Sequence, residues 1–216
     1  MSLNVVWDLG RVLLRWRPEQ VLRETLPHIV TDAASAVHWA QQIFQSYGGD
    51  WGDFDRGTVS RDDLVLRIAR RTGLSTADVQ RVVDAALLEL QPMPDSVALL
   101  RRLHAAGCGL YFLSNMPAPF ADHLERSHAE LRLFRDGVFS GRVHHNKPEP
   151  EIFRIAQQRF GVPAQALVFL DDHEPNVIAA RAAGWRAFVF TSAAQAEADL
   201  RSAGLLRSAL PSDQAG

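Results

Sequence analysis

Cysteine is nearly absent from this chain of 216 residues, where Cys108 stands alone. One thiol cannot form an internal disulfide and offers no paired spacing for zinc. In Gly107-Cys108-Gly109-Leu110 it reads as a small buried filler at the entry to a strand. Long apolar runs are missing too. No stretch approaches the ~18 residues of a membrane span, and no charged-then-apolar leader opens the chain. There is no block of positive charge, and the formal net charge is -2. Neither nucleic acid nor an anionic membrane is therefore an expected partner. Internal repeats and low-complexity segments are lacking, apart from a tail after Pro211 that is expected to fray. No helix carries a sustained heptad, which leaves monomer or homodimer open. The expectation is a soluble cytoplasmic protein. Its 47% hydrophobic content fits a globular chain of one or two domains.

What is present begins with a strand. Leu3 to Leu9 is β-branched and apolar, and Gly10 ends it. From about Pro18 to about Leu90 only helix signals follow. Thr31-Asp32 can open a helix carrying Val37, Ala40, Ile43, Phe44 and Tyr47. Ser60 and Ser75 each stand three residues before an aspartate and ahead of an apolar stripe, a variant of the capping box. Between these helices Gly48 to Gly57 reads as a glycine-rich aromatic loop. Pro92 and Pro94 close the helical block. Strands expected at 110–113, 138–139, 167–170 and 187–190 then alternate with helices, the first of them capped by Asp95. That alternation predicts an α/β fold, a Rossmann-like doubly wound parallel sheet. Residues 1–16 and 92–216 would form the core, with an α-helical cap domain, 17–91, inserted after the first strand.

Asp8, Leu113-Ser114-Asn115, Lys147-Pro148 and Leu170-Asp171-Asp172 fall at strand ends or helix starts. In parallel α/β sheets that is where ligands bind. Singly each is an ordinary turn or cap residue. Together, in this order, they are what phosphoryl transfer through an aspartate requires. A carboxylate attacks phosphorus only when its repulsion with the phosphate is offset, usually by a divalent cation and a lysine. Asp8 would be the nucleophile and share an oxygen with Mg²⁺. Asp172 would supply the metal's second carboxylate, and the Gly10 backbone carbonyl a third oxygen. So sparse a set suits Mg²⁺, which keeps several waters. Ser114 and the Asn115 N–H would hold phosphate oxygens, and Lys147 would neutralise charge in the transition state. Asp171 and Asn176 would support the site from behind.

The segments Asp8-Leu9-Gly10-Arg11-Val12-Leu13, Leu113-Ser114-Asn115, Lys147-Pro148-Glu149 and Phe169 to Asn176 resemble the haloacid-dehalogenase-like hydrolase superfamily over nearly the whole chain. Within it, Asp-Leu-Gly and the Asp-Asp pair with a following Asn are similar to the sugar-phosphatase, glucose-1-phosphatase-like branch. The Asp-Asp segment also resembles the phosphatase half of soluble epoxide hydrolase. The resemblance implies a Rossmann-like core, Mg²⁺ dependence, a phospho-aspartyl intermediate and a small phosphorylated substrate, with a sugar phosphate expected. The residue matching Asp172 is the family's metal ligand. Cap loops select substrate in this superfamily, which makes Tyr47, Trp51, Phe54 and Arg56 candidates for the pocket mouth. Arg11 either leans towards the substrate or ties down the cap.

One departure stands out. Most phosphatases of this superfamily place a second aspartate two residues after the nucleophile, as acid and then base. Here that position is Gly10, as in the sugar-phosphatase branch. General acid–base help is worth ~10²–10⁴ in rate, so its loss would slow reactions with poor leaving groups. His145 and His173 are candidate stand-ins. Two further readings follow: a metal-free 2-haloacid dehalogenase in which Asp8 attacks carbon, and a binding protein on a decayed hydrolase core. The Asp171-Asp172 pair speaks against the first, and the intact Asp8, Ser114, Lys147 and Asp172 against the second.

Overall fold

The computed structural model describes residues 3–206; the expected fraying after Pro211 lies outside the described residues. Five parallel strands make one sheet: β1 (Asn4–Trp7), β2 (Gly109–Ser114), β3 (Asp136–Phe139), β4 (Leu167–Asp171) and β5 (Arg186–Val189), in the order β3-β2-β1-β4-β5. The chain steps outward from β1 to β3, then crosses back to β4 on the other side of β1. The strand order thus reverses between β1 and β4. A crevice opens at such a point beyond the carboxyl ends of the strands. Trp7 is in register with both Phe112 and Leu170, so Asp8, Ser114 and Asp171 emerge there together.

Alternation along the buried strands sends side chains to two faces. Val5 and Trp7 point into one apolar cluster, and Val6 into the other. The first cluster takes in the inserted helices and also α6 (Pro94–Ala105), α7 (Ala118–Ser127) and α10 (Ala193–Ser202). The second packs α8 (Pro150–Phe160) and α9 (Glu174–Ala182) on the sheet through Ile152, Phe153 and Val177. Cys108 is half-buried rather than buried.

Between β1 and α6 come α1 (Pro18–Thr25), α2 (Ala33–Phe44), α3 (Gly49–Asp55), α4 (Arg61–Thr72) and α5 (Thr76–Glu89). Ser60 and Ser75 accept from the backbone N–H of Asp63 and Asp78, as their spacing implies. Asp32 caps α2 in a reciprocal box with Ser35. The α2 stripe runs through Ala36, Ile43 and Phe44, and Val37 faces outward, 48% exposed. Asp95 does not cap α6: Met93 takes that place, and Asp95 sits in the first turn beside Pro94.

The main correction concerns 48–57. The segment is a helix, α3, entered at Gly48 and left at Arg56. Each glycine costs ~1 kcal/mol against helix. Burying Trp51 and Phe54 outweighs that, because each covers far more apolar surface than the helix penalty offsets. No helix among the described residues is long and apolar enough to cross a membrane.

Candidate active site

The turn after β1 is tight. The Asp8 N–H donates to the Leu170 carbonyl, continuing the ladder to β4, while Leu13 and Leu14 donate back to Leu9. Arg11 sits at the bend with φ 57°. This curl holds the Asp8 carboxylate at the sheet edge, where Oδ1 accepts the Leu9 N–H at 2.7 Å.

Lys147 lies between two carboxylates. Its Nζ is 2.8 Å from Asp8 Oδ1 and 2.6 Å from Asp171 Oδ2, and its side chain is 1% exposed. The loop that delivers it is clamped by Asn115, whose side chain accepts the Lys147 N–H at 2.8 Å and donates to the Lys147 carbonyl at 3.0 Å. That pair of hydrogen bonds to the backbone is the structural work of the Asn115 side chain. Asp171 is fully buried. It also accepts from Asn176 Nδ2 at 3.0 and 3.1 Å and from the His173 N–H at 2.8 Å. Asn176 Oδ1 stays buried without a partner among the described residues.

Charge is unbalanced here. Asp8, Asp171 and Asp172 each present an oxygen within 4.8 Å of the others. Burial pushes the Asp8 carboxyl up to about 7; Lys147 opposes that rise, and the charges of Asp171 and Asp172 add to it. Burial and then the charge of Asp171 also raise Asp172. For Lys147, burial acts to lower the pKa, but Asp171 and Asp8 outweigh it and hold the ammonium above its ordinary value.

Asp8, Lys147 and Asp172 border a cavity of about 360 Å³. Of the residues singled out in the sequence, Asp8, Gly10, Arg11, Trp51, Ser114, Asn115, Lys147, Asp172, His173 and Asn176 line it. Asp171 lies behind that wall. Arg11 is held by the Trp16 carbonyl at 3.3 Å. Arg56 is not at the cavity; Glu149 takes its guanidinium at 2.6 Å. His145 also pairs with Glu149, at 3.1 Å, and does not line the cavity. Phe54 packs behind Trp51 and against Phe120. The Tyr47 side chain lies outside the described set. The lining also has an apolar part, made by Trp16, Trp51, Leu90, Met116, Pro117 and Phe120. Trp16 stacks on Trp51 at 6.5 Å and so serves both as packing and as wall.

Sequence reasoning missed Asp55. It ends α3, is 5% exposed and lines the same cavity. Burial, followed by the charge of Asp8, pushes its carboxyl up to about 8. The only hint in the sequence was a carboxylate beside buried aromatics, and that hint was hidden while 48–57 read as a loop.

A strand-end aspartate, a hydroxyl, a buried lysine and an acidic pair around one crevice can carry out nucleophilic displacement through Asp8. Residues 5–184 match the family of haloacid dehalogenase-like hydrolases. The chain belongs to that family. This hydrolase is 28% identical over 180 residues to a sesquiterpene phosphatase of Aspergillus oryzae, covering 83% of this chain and 85% of that one. It is 27% identical over 139 residues to an (S)-2-haloacid dehalogenase of Pseudomonas putida, covering 63% and 60% of the two chains. Among solved structures, a haloacid-dehalogenase-family enzyme of Bacteroides thetaiotaomicron in complex with magnesium and inorganic phosphate superposes with a TM-score of 0.69. There the identity is 20%, over 89% of this chain and 96% of that one. The hydrolase thus shares its fold with the Bacteroides enzyme.

Proposed function

We propose that the protein is a Mg²⁺-dependent phosphatase that hydrolyses a small phosphate monoester through phospho-Asp8. The observation that carries this is the buried Lys147 bridging Asp8 and Asp171 beside a second acid, Asp172. Three carboxylates against one ammonium make an excess of negative charge that a divalent cation balances. A hard cation with few carboxylate ligands fits Asp8, Asp172 and the Gly10 carbonyl. Bound there, Mg²⁺ would supply Lewis-acid stabilisation of the phosphoryl oxygens. Asp8 attacks phosphorus, Ser114 and the Asn115 N–H hold the phosphoryl oxygens, and Lys147 neutralises charge gathering on Asp8. Asp171 and Asn176 keep the lysine in place. Displacement at carbon in a haloacid needs no cation-binding acids, so the crowd of carboxylates favours phosphorus.

Residues 17–91 act as a cap over this point, enclosing substrates small enough for the cavity. The resemblance implied a sugar phosphate. The apolar wall favours instead the phosphate of an apolar alcohol, since sugar hydroxyls would meet tryptophan and methionine where they need hydrogen-bond partners. The likeness to a sesquiterpene phosphatase supports the same reading.

The test is phosphate release from decyl phosphate and glucose 1-phosphate, and halide release from 2-chloropropionate, each with Mg²⁺ or EDTA. The expected outcome is Mg²⁺-dependent turnover with kcat/KM higher for decyl phosphate. A preference for the sugar would overturn the apolar assignment. Metal-independent halide release would overturn the phosphatase.

A further inference from the structure

Gly10 gives this site no acid for the leaving group and no base for water. A saturated alcohol leaves badly as an alkoxide, so a substrate of the proposed class makes that deficit matter most. We propose that Asp55 supplies both functions from the helical insert, standing in for the side chain that Gly10 lacks. The proposal rests on the phosphatase reading above.

Asp55 borders the cavity from the end of α3, an element more than forty residues from Asp8 in sequence. Every other acid there is engaged or exposed to a cation: Asp8 and Asp171 hold Lys147, and Asp172 lies near Arg11. The Asp55 carboxyl accepts no hydrogen bond and forms no ion pair among the described residues. Burying a carboxyl this way favours its neutral form, in keeping with a value raised to about 8. It therefore holds a proton at neutral pH and can give it away.

The backbone around Asp55 is fastened to the core rather than free to drift. Ser140, fully buried, donates Oγ to the Asp55 carbonyl at 2.6 Å and accepts the Met116 N–H at 2.9 Å. Asn146, next to Lys147, donates to the Gly52 carbonyl at 2.8 Å. Gly57 passes so close to the Gly141 backbone that a Cβ there would collide with its carbonyl. The loops that deliver Ser114 and Lys147 thus also set the position of Asp55, the precision that proton transfer demands.

The chemistry balances. An Asp8 carboxylate oxygen bonds to phosphorus while the bond from phosphorus to the alcohol oxygen breaks. The departing electron pair on that oxygen takes the Asp55 proton, releasing neutral alcohol. Asp55, now a carboxylate, takes a proton from water as the water oxygen attacks phosphorus. The bond to Asp8 then breaks, inorganic phosphate leaves, and Asp55 carries its proton again. His145 is turned away to Glu149, and His173 stands exposed at the rim.

Asp55→Asn keeps shape and removes the titrating group. Turnover of decyl phosphate is expected to fall by ~10²–10⁴. With p-nitrophenyl phosphate, whose leaving group needs no proton, the first step survives. The variant should release about one nitrophenol per enzyme in a burst and then stall as phospho-enzyme. A Cβ at Gly10 meets nothing within 4 Å, so Gly10→Asp can be built, and in the Asp55→Asn background it should restore part of the decyl phosphate turnover. Equal losses on both substrates with no burst and no rescue would overturn the assignment, as would unchanged turnover. If Asp55→Asn does not fold, Asp55→Ser is judged by the same burst and rescue. Loss of the wild-type activity on both substrates would instead sink the phosphatase reading, and Asp55 with it.

Discussion

Lys147 has no solvent to fall back on, and its ammonium is held by two carboxylates at hydrogen-bond distance. Replacing it with methionine should lower kcat by ~10²–10³, the usual cost of losing one preorganised charge stabiliser. Mg²⁺ affinity should hold or rise, because the acids then face no competing cation. A steady-state Mg²⁺ titration of Lys147→Met reads both, and wild-type kcat would remove the lysine from the chemistry. The place of Lys147 beside the strand-end acids was legible in the sequence from chain order and from the family resemblance. Asp55 was not. Its carboxyl is significant only because Ser140, 85 residues later, donates to its backbone carbonyl, and no local pattern announces a contact that distant.

At the scale of elements, the strands were readable because runs such as Val5-Val6-Trp7 and Leu167 to Leu170 are buried on both faces. The long helices were readable from hydroxyl caps and apolar stripes. The short helix α3 was not, because two glycines and a charge-rich composition carry loop chemistry while tertiary burial of Trp51 and Phe54 decides the outcome. Arg56, at the end of α3, pairs with Glu149 and does not line the cavity. The docking of α3 predicts a weak point. Ser140→Ala removes the donor to Asp55 and strands the buried Met116 N–H, at a cost of ~1–3 kcal/mol. Urea unfolding should show that loss, whereas a change near zero would mean that α3 is held by its apolar face alone.

For the whole molecule, the buried acids tie stability to pH. Asp55 moves from 3.8 to about 8 on folding, and Asp8 from 3.8 to about 7. Both are raised, so between those limits the folded protein keeps protons that the unfolded chain has released. Stability must therefore fall as pH rises through the window. Melting temperatures of the metal-free protein should decline from about pH 5 to about pH 8, and Asp55→Asn should flatten the decline; an unchanged slope in the variant would contradict the burial of a neutral Asp55. The sheet, the insert and the acids converge on one claim, that Asp8 receives the phosphoryl group. The direct measurement is acid quenching during turnover of decyl phosphate with Mg²⁺, followed by mass analysis of the peptide that contains Asp8. One phosphoryl group is expected on Asp8 and none on Asp8→Asn, which should also release no phosphate. Phosphate release by Asp8→Asn at the wild-type rate, or a phosphoryl group on another residue, would contradict it.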